Sequence, residues 1–381
     1  HTSIGGQLSK YCGEEKAMEL FDEVISNFKR FHPKPEEVQC SNPIAEPDFI
    51  KPYFGLRLFP VWHVGTDYLH EIGKNWYDFL VENGVKFQWE TKVDEIWFDK
   101  NKLMADNGSN PYFIHYDRLM FAVGKSGIDF GKKLADKYSL PTEPKPVQVG
   151  IRFEAPQHHF QELIDISYDF KLYRKFDSGV SLRSFCTNNN AAYVAVEETY
   201  GNHTYNGHAK KDEAFRNNMT NFGILMEIPG IEEPFEWSRE LVSKVNKEGT
   251  GLYYSPTRMP SITSEGEDVS AVVIDDTQMD EVREAFHGYY KYIDDFIDDM
   301  KKVFPTLGDD WGVYVPEVKY LSPEPLVNYD DLSLHKYPNV HFVGDALSAR
   351  GITVSGAQGI YVMESIISKY DDEFPEFFEI F

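Results

Sequence analysis

Cysteine is scarce: Cys12, Cys40 and Cys186 are the only three in 381 residues. They are too few and too scattered for a disulfide framework or a zinc cluster, so no metal site is expected and the usage fits a reducing compartment. Long apolar runs are missing as well. No stretch approaches the ~18 residues of a membrane helix and no secretory leader opens the chain, which reads as a cytoplasmic protein with no membrane partner. Positive charge is in deficit, with 38 Lys+Arg against 62 Asp+Glu and a formal net charge of -24. Nucleic acid and anionic membranes select basic surfaces, so neither is expected as a partner. Asn107-Gly-Ser, Asn202-His-Thr and Asn218-Met-Thr match the glycosylation sequon, but without a leader they read as chance.

What the chain does have is enough apolar mass for real cores, 41% hydrophobic with 15% aromatic residues, at a length that suits two or three domains. Its most informative stretch runs from Asn339 to Ile367. An apolar run, Val340 to Val343, predicts a buried strand ending at Gly344-Asp345. Past Gly351, small residues at Ser355, Gly356, Ala357 and Gly359 precede an apolar helical phase at Ile360, Val362, Met363, Ile366 and Ile367. A helix start stripped of side chains lets its unpaired N–H groups and positive dipole end approach a phosphate or an anionic ring. Asp345 could accept from a ribose or ribitol hydroxyl. The same pattern also suits a tightly packed strand-turn-helix with glycines at close contacts.

Elsewhere, residues 14–31 predict an amphipathic helix and residues 32–60 a Pro-rich loop region. A helix over about 68–82 is bounded by a Thr66-Asp67 N-cap and an Asn83-Gly84 stop, and the alternating run from Val85 to Ile96 predicts a strand. A hairpin follows over 102–123, and a Pro-rich linker at 141–146 marks a domain boundary. Beyond it the chain alternates strands and loops, with helices expected over about 238–247 and 279–304.

Phe342-Val343-Gly344-Asp345, Arg350-Gly351 and Ser355-Gly356-Ala357-Gln358-Gly359 together resemble the C-terminal FAD motif of two-dinucleotide-binding-domain flavoproteins, and more narrowly the bacterial and archaeal FAD-utilising dehydrogenases. The resemblance runs through most of the chain. It implies an α/β fold in which a doubly wound, Rossmann-like FAD domain (residues 1–145 and 331–381) is interrupted by a β-rich α+β substrate domain (146–330). FAD would be held by Gly344, Asp345, Gly351, Ile352, Ser355, Gly356 and Ala357. Val93, in Thr91-Lys92-Val93, would pass the adenine, and Ala122 and Gly124 would form a second bare crossing. The family's Gly-x-Gly-x-x-Gly loop is nowhere in the chain. Ile4-Gly5-Gly6-Gln7-Leu8 matches a segment that normally follows the first βαβ unit, so the opening part of the pattern is expected to be missing.

Three polar segments match further family motifs: Arg183-Ser184-Phe185-Cys186, Asn206-Gly207-His208 and Asn218-Met219-Thr220-Asn221-Phe222. The turn after Cys186, Asn188-Asn189-Asn190-Ala191, departs from the family's Asn-Pro-Gly-Gly. Arg183 suits a carboxylate or enolate oxygen. His208 suits a general acid or base. Asn206 and Asn221 suit the orientation of substrate or flavin amides. Cys186, lacking a second cysteine nearby, reads as a buried inert thiol, and the acidic pairs Asp294-Asp295 and Asp298-Asp299 as a solvated helix face. The chain therefore reads as an FAD-dependent oxidoreductase moving hydride through flavin N5 to or from a small-molecule substrate, with NAD(P)H as a family-level electron donor. The competing readings are a non-catalytic structural or assembly protein on the same scaffold, and a flavin-dependent nucleic-acid modifier, which the charge disfavours.

Overall fold

The computed structural model describes residues 8–257, 270–321 and 323–373. Within them, Glu37–Leu69 and Pro146–Leu321 form one compact unit, and residues 8–36, His70–Lys145 and 323–373 form another. The change of unit at Lys145 falls inside the Pro-rich linker. Residues 37–69 belong with the 146–321 unit, because Gly55–Leu58 is not loop but the edge strand of its sheet, pairing with Phe170–Lys175.

That sheet has eight strands, in the order Val272–Val273, Leu252–Tyr254, Gly312–Val318, Val147–Pro156, Met219–Ile228, Ser181–Asn190, Phe170–Lys175 and Gly55–Leu58. All neighbours are antiparallel except the first pair. Both faces of its central strands are buried, but with different chemistry. The Val147–Pro156 strand turns Val149, Ile151 and Phe153 to an aromatic layer, where Phe153 stacks on Phe222 at 5.2 Å and Phe160 tilts onto Phe304 at 4.8 Å. Its alternate residues, Arg152 and Glu154, are equally buried. The hairpin Ala192–Thr199 and Asn202–Ala209 covers that polar side.

The other unit is smaller in its sheets. Leu119–Phe121 and Tyr337–Phe342 pair in parallel, with Ser333–Leu334 alongside, and Lys92–Trp97, Lys102–Asp106 and Tyr112–His115 form a separate antiparallel sheet. Among the described residues this unit thus holds one parallel pair, not the many-stranded parallel sheet of a doubly wound fold; the chain is mixed α/β. Helix Ser9–Phe31 packs against helix Ile352–Glu373 through Leu20, Val24, Val354 and Ala357.

Four sequence expectations change in detail. The helix expected over 279–304 is two helices, Asp276–Ala285 and Lys291–Val303, because His287 and Gly288 both take left-handed conformations (φ 52° and 80°). The strand expected from Val85 begins only at Lys92; Phe87 and Trp89 instead stack at 5.5 Å beside Tyr77. Asp67 accepts from the Lys211 and Asp212 backbone N–H groups, 3.2 Å each, so its carboxylate pins a distant turn. Asp299 is buried, not solvated, because Arg174 and Lys302 both pair with it. The Gly84 stop holds, with φ 87° and its N–H donating to the Val81 carbonyl.

Candidate functional site

The two parallel strands of the smaller unit both end at glycines with left-handed backbone, Gly124 (φ 63°) and Gly344 (φ 64°), a region closed to most side chains. The Val343 N–H donates to the Phe121 carbonyl at 3.2 Å, holding the two exits side by side. Beyond Gly344 the chain makes one short helical turn, then reaches Gly351 (φ 113°) and helix Ile352–Glu373. A Cβ placed on Gly124 or Gly351 would meet nothing within 4 Å. Ile352 is exposed beside Gly351. The first N–H groups of that helix, which have no intrahelical partner, therefore lie behind an open glycine.

The other expected cofactor residues divide. The Gly344 N–H donates to Gln358 Oε1 at 2.7 Å, and the Asp345 carboxylate accepts from Arg350 Nε at 2.8 Å. Ser355 Oγ donates to the Ala349 carbonyl at 3.2 Å and fixes the helix entry. Ala122 is exposed at its strand end. Gly356 serves helix packing, since a Cβ there would stand 3.1 Å from Val24, and Ala357 is fully buried in the same contact. Val93 is half-buried against the core of its unit.

The four expected catalytic residues lie in the larger unit and do not converge on one cleft. Arg183 is exposed on the sheet and donates to Gln148 Oε1 at 3.1 Å. Asn206 is exposed, with Oδ1 accepting from the next backbone N–H. His208 is half-buried on the hairpin opposite Tyr193. Asn221 is fully buried, taking a bond from Asn188 at 2.9 Å and donating to the Tyr193 carbonyl at 3.0 Å, so it fastens strand to hairpin.

Between sheet and hairpin lies an ionic layer that the sequence reading did not single out. Arg152, with no exposed surface, sits 3.2 Å from Glu317 and faces the Phe185 ring at 5.7 Å. Its Nη1 and the Asn188 amide both donate to the Cys186 carbonyl, at 3.1 and 3.0 Å. They hold a β-bulge at which Cys186 has φ 52°. Burial pushes the Glu317 carboxyl up to about 7 against the opposing pull of Arg152. Burial also raises the Cys186 thiol, so it stays protonated and inert at neutral pH. The available signal was the two charges in phase at Arg152 and Glu154 within an apolar strand, a pattern that fits an exposed face equally well.

No protein-family model and no curated protein matches the chain. Among solved structures it is similar to FqzB, at 10% identity and a TM-score of 0.36, over 92% of this chain and 64% of that one. It is also similar to the halogenase PltM, at 9% identity and a TM-score of 0.37, over 92% of this chain and 61% of that one. The chain thus spans a little over three fifths of the length of either structure.

Proposed function

We propose that the chain is an FAD-dependent oxidoreductase that transfers hydride between a small organic molecule and the flavin, with NAD(P)H as electron donor. One observation carries this reading: a parallel strand pair whose two carboxyl ends leave the sheet through left-handed glycines, Gly124 and Gly344, next to the open Gly351. In open α/β sheets ligands bind outside the carboxyl ends of parallel strands, and phosphates favour a helix start that side chains do not cover. On this reading the cofactor would lie against Gly124, Gly344, Gly351 and Ile352, whereas Gly356 and Ala357 serve the helix contact. Gly351 and Ile352 would admit the pyrophosphate to the backbone N–H groups. Asp345 would accept a ribityl hydroxyl beside its bond to Arg350. When bound, the flavin supplies the hydride-accepting N5; the protein supplies binding, orientation and the exclusion of water.

A second reading, a non-catalytic protein on this scaffold, draws on one specific observation: Asp345 is already paired with Arg350 at 2.8 Å. An absorbance spectrum of the purified protein, with heat release of any chromophore and addition of FAD, separates the two. The oxidoreductase reading expects the two bands of oxidised flavin, on the order of one FAD per chain and bleaching by NAD(P)H. A colourless protein that takes up no FAD would overturn the oxidoreductase reading of this chain.

A further inference from the structure

A second cleft, of about 250 Å³, lies wholly within the larger unit. His63, Tyr168 and Asn189 line its inner part, and Lys210, Lys211 and Arg216 its rim. The wall is built, not incidental. The Thr66 N–H donates to the Ala209 carbonyl at 3.0 Å, and Asp67 holds the backbone N–H groups of Lys211 and Asp212. These bonds fix where the two lysines leave the hairpin. The Lys211 ammonium is steered by the Glu37 carbonyl, and the Lys210 ammonium stands over the Phe215 and Tyr193 rings at 4.2 and 4.9 Å. Asn189 Nδ2 donates to the Tyr168 carbonyl at 2.8 Å, and the Tyr168 ring meets His63 edge-on at 3.9 Å. Asp212 and Glu213 also border the cleft, and the Asp212 carboxylate is engaged as a cap on the Ala214 N–H at 2.9 Å.

We propose that this cleft binds a small planar carboxylate of the aromatic-acid class, its carboxylate between Lys210 and Lys211 and its ring against Tyr168 and His63. Size sets the class, because about 250 Å³ falls short of the ~300–1,000 Å³ that encloses drug-sized ligands. Charge sets the polarity, three cations against two carboxylates. Burial lowers Lys211 below the usual lysine range, so an arriving carboxylate relieves a desolvated ammonium. Burial likewise holds His63 neutral, so it presents ring surface without a competing charge. The site does not depend on the flavin reading, since every lining residue belongs to one unit.

The test is calorimetric titration of the full chain with benzoate at low ionic strength. One site per chain is expected, weakened about tenfold or more, or about 1.4 kcal/mol, in Lys211→Met. Lys211→Arg should restore binding and Lys175→Met, on an exposed strand end, should leave it unchanged. Should Lys211→Met fail to fold after losing the Glu37 contact, Lys210→Met carries the same expectation. No binding by the wild-type chain, or an unchanged Kd in both Lys→Met variants, overturns the proposal. Displacement of benzoate by an equal concentration of inorganic phosphate overturns the planar-carboxylate class.

Discussion

Gly207 illustrates how tightly single residues are constrained in the ionic layer. A Cβ there would overlap both the Arg152 guanidinium and the Asn188 amide, neither of which can withdraw from its bond to the Cys186 carbonyl without disturbing the bulge. Gly207→Ala should therefore cost about 1–3 kcal/mol, the range of overpacked cores, measured as a drop in urea midpoint. Gly201→Ala, at a hairpin turn where a Cβ meets nothing within 4 Å, tests the left-handed backbone alone. Glu317 makes a prediction about pH. Its carboxyl is raised from 4.5 to about 7 in the fold, so between those values the folded state keeps a proton that the unfolded chain has released. Its contribution is fully present below about 4.5 and declines as pH rises toward about 7, by on the order of 3 kcal/mol. Glu317→Gln, which mimics the protonated form at every pH, should flatten that decline. Equal slopes in the two proteins would show that Glu317 ionises at its ordinary value.

At the scale of elements, glycines separate positions that need freedom from positions that merely have it. Gly73 lies in helix Leu69–Glu82, exposed, and a Cβ there meets nothing within 4 Å. Gly73→Ala should stabilise by about 0.5–1 kcal/mol, the helix-propensity difference. Gly288 has φ 80° at the break between two helices, so Gly288→Ala should destabilise by about 1–2 kcal/mol instead. Opposite signs in thermal unfolding are the expected result. The break also explains why the 279–304 pattern reads as one helix: apolar spacing on both sides stays in phase, and only the two left-handed residues interrupt it. Asp299 misreads for a related reason, since its spacing suits the solvated face while Arg174 reaches across from a strand more than a hundred residues earlier.

For the molecule as a whole, the charge of -24 and the division into two units set the expectations. Binding of FAD stabilises the conformation that binds it, so added FAD should slow amide hydrogen exchange across 121–127 and 343–355, where the glycine exits and the helix start lie. Unchanged exchange in both segments would argue that the glycines serve the turn geometry alone. The amphipathic helix at the start and the strand-glycine-helix near the end were both legible, because each rests on local periodicity or on residues with special backbone freedom. The three strands within 37–69, Gln39–Ser41, Gly55–Leu58 and Val61–His63, were not, since strands of three or four residues carry too few positions to show a period.

The sequence alone determined the negative net charge, the scarcity of cysteine, the amphipathic helix near the start and the glycine turns after two apolar runs, all properties carried by neighbouring residues. Tertiary structure decided which glycines are open and which are packed: Gly351 faces space, whereas Gly356 lies against Val24, although both stand in the same small-residue stretch. It also decided that Arg152, Glu154 and Glu317 are buried and that Lys210 and Lys211 rim a cleft. The physical reason is that burial belongs to what covers a residue. The hairpin over the sheet and the Asp67 bonds to the lysine turn join residues far apart in the chain, where no local pattern reaches.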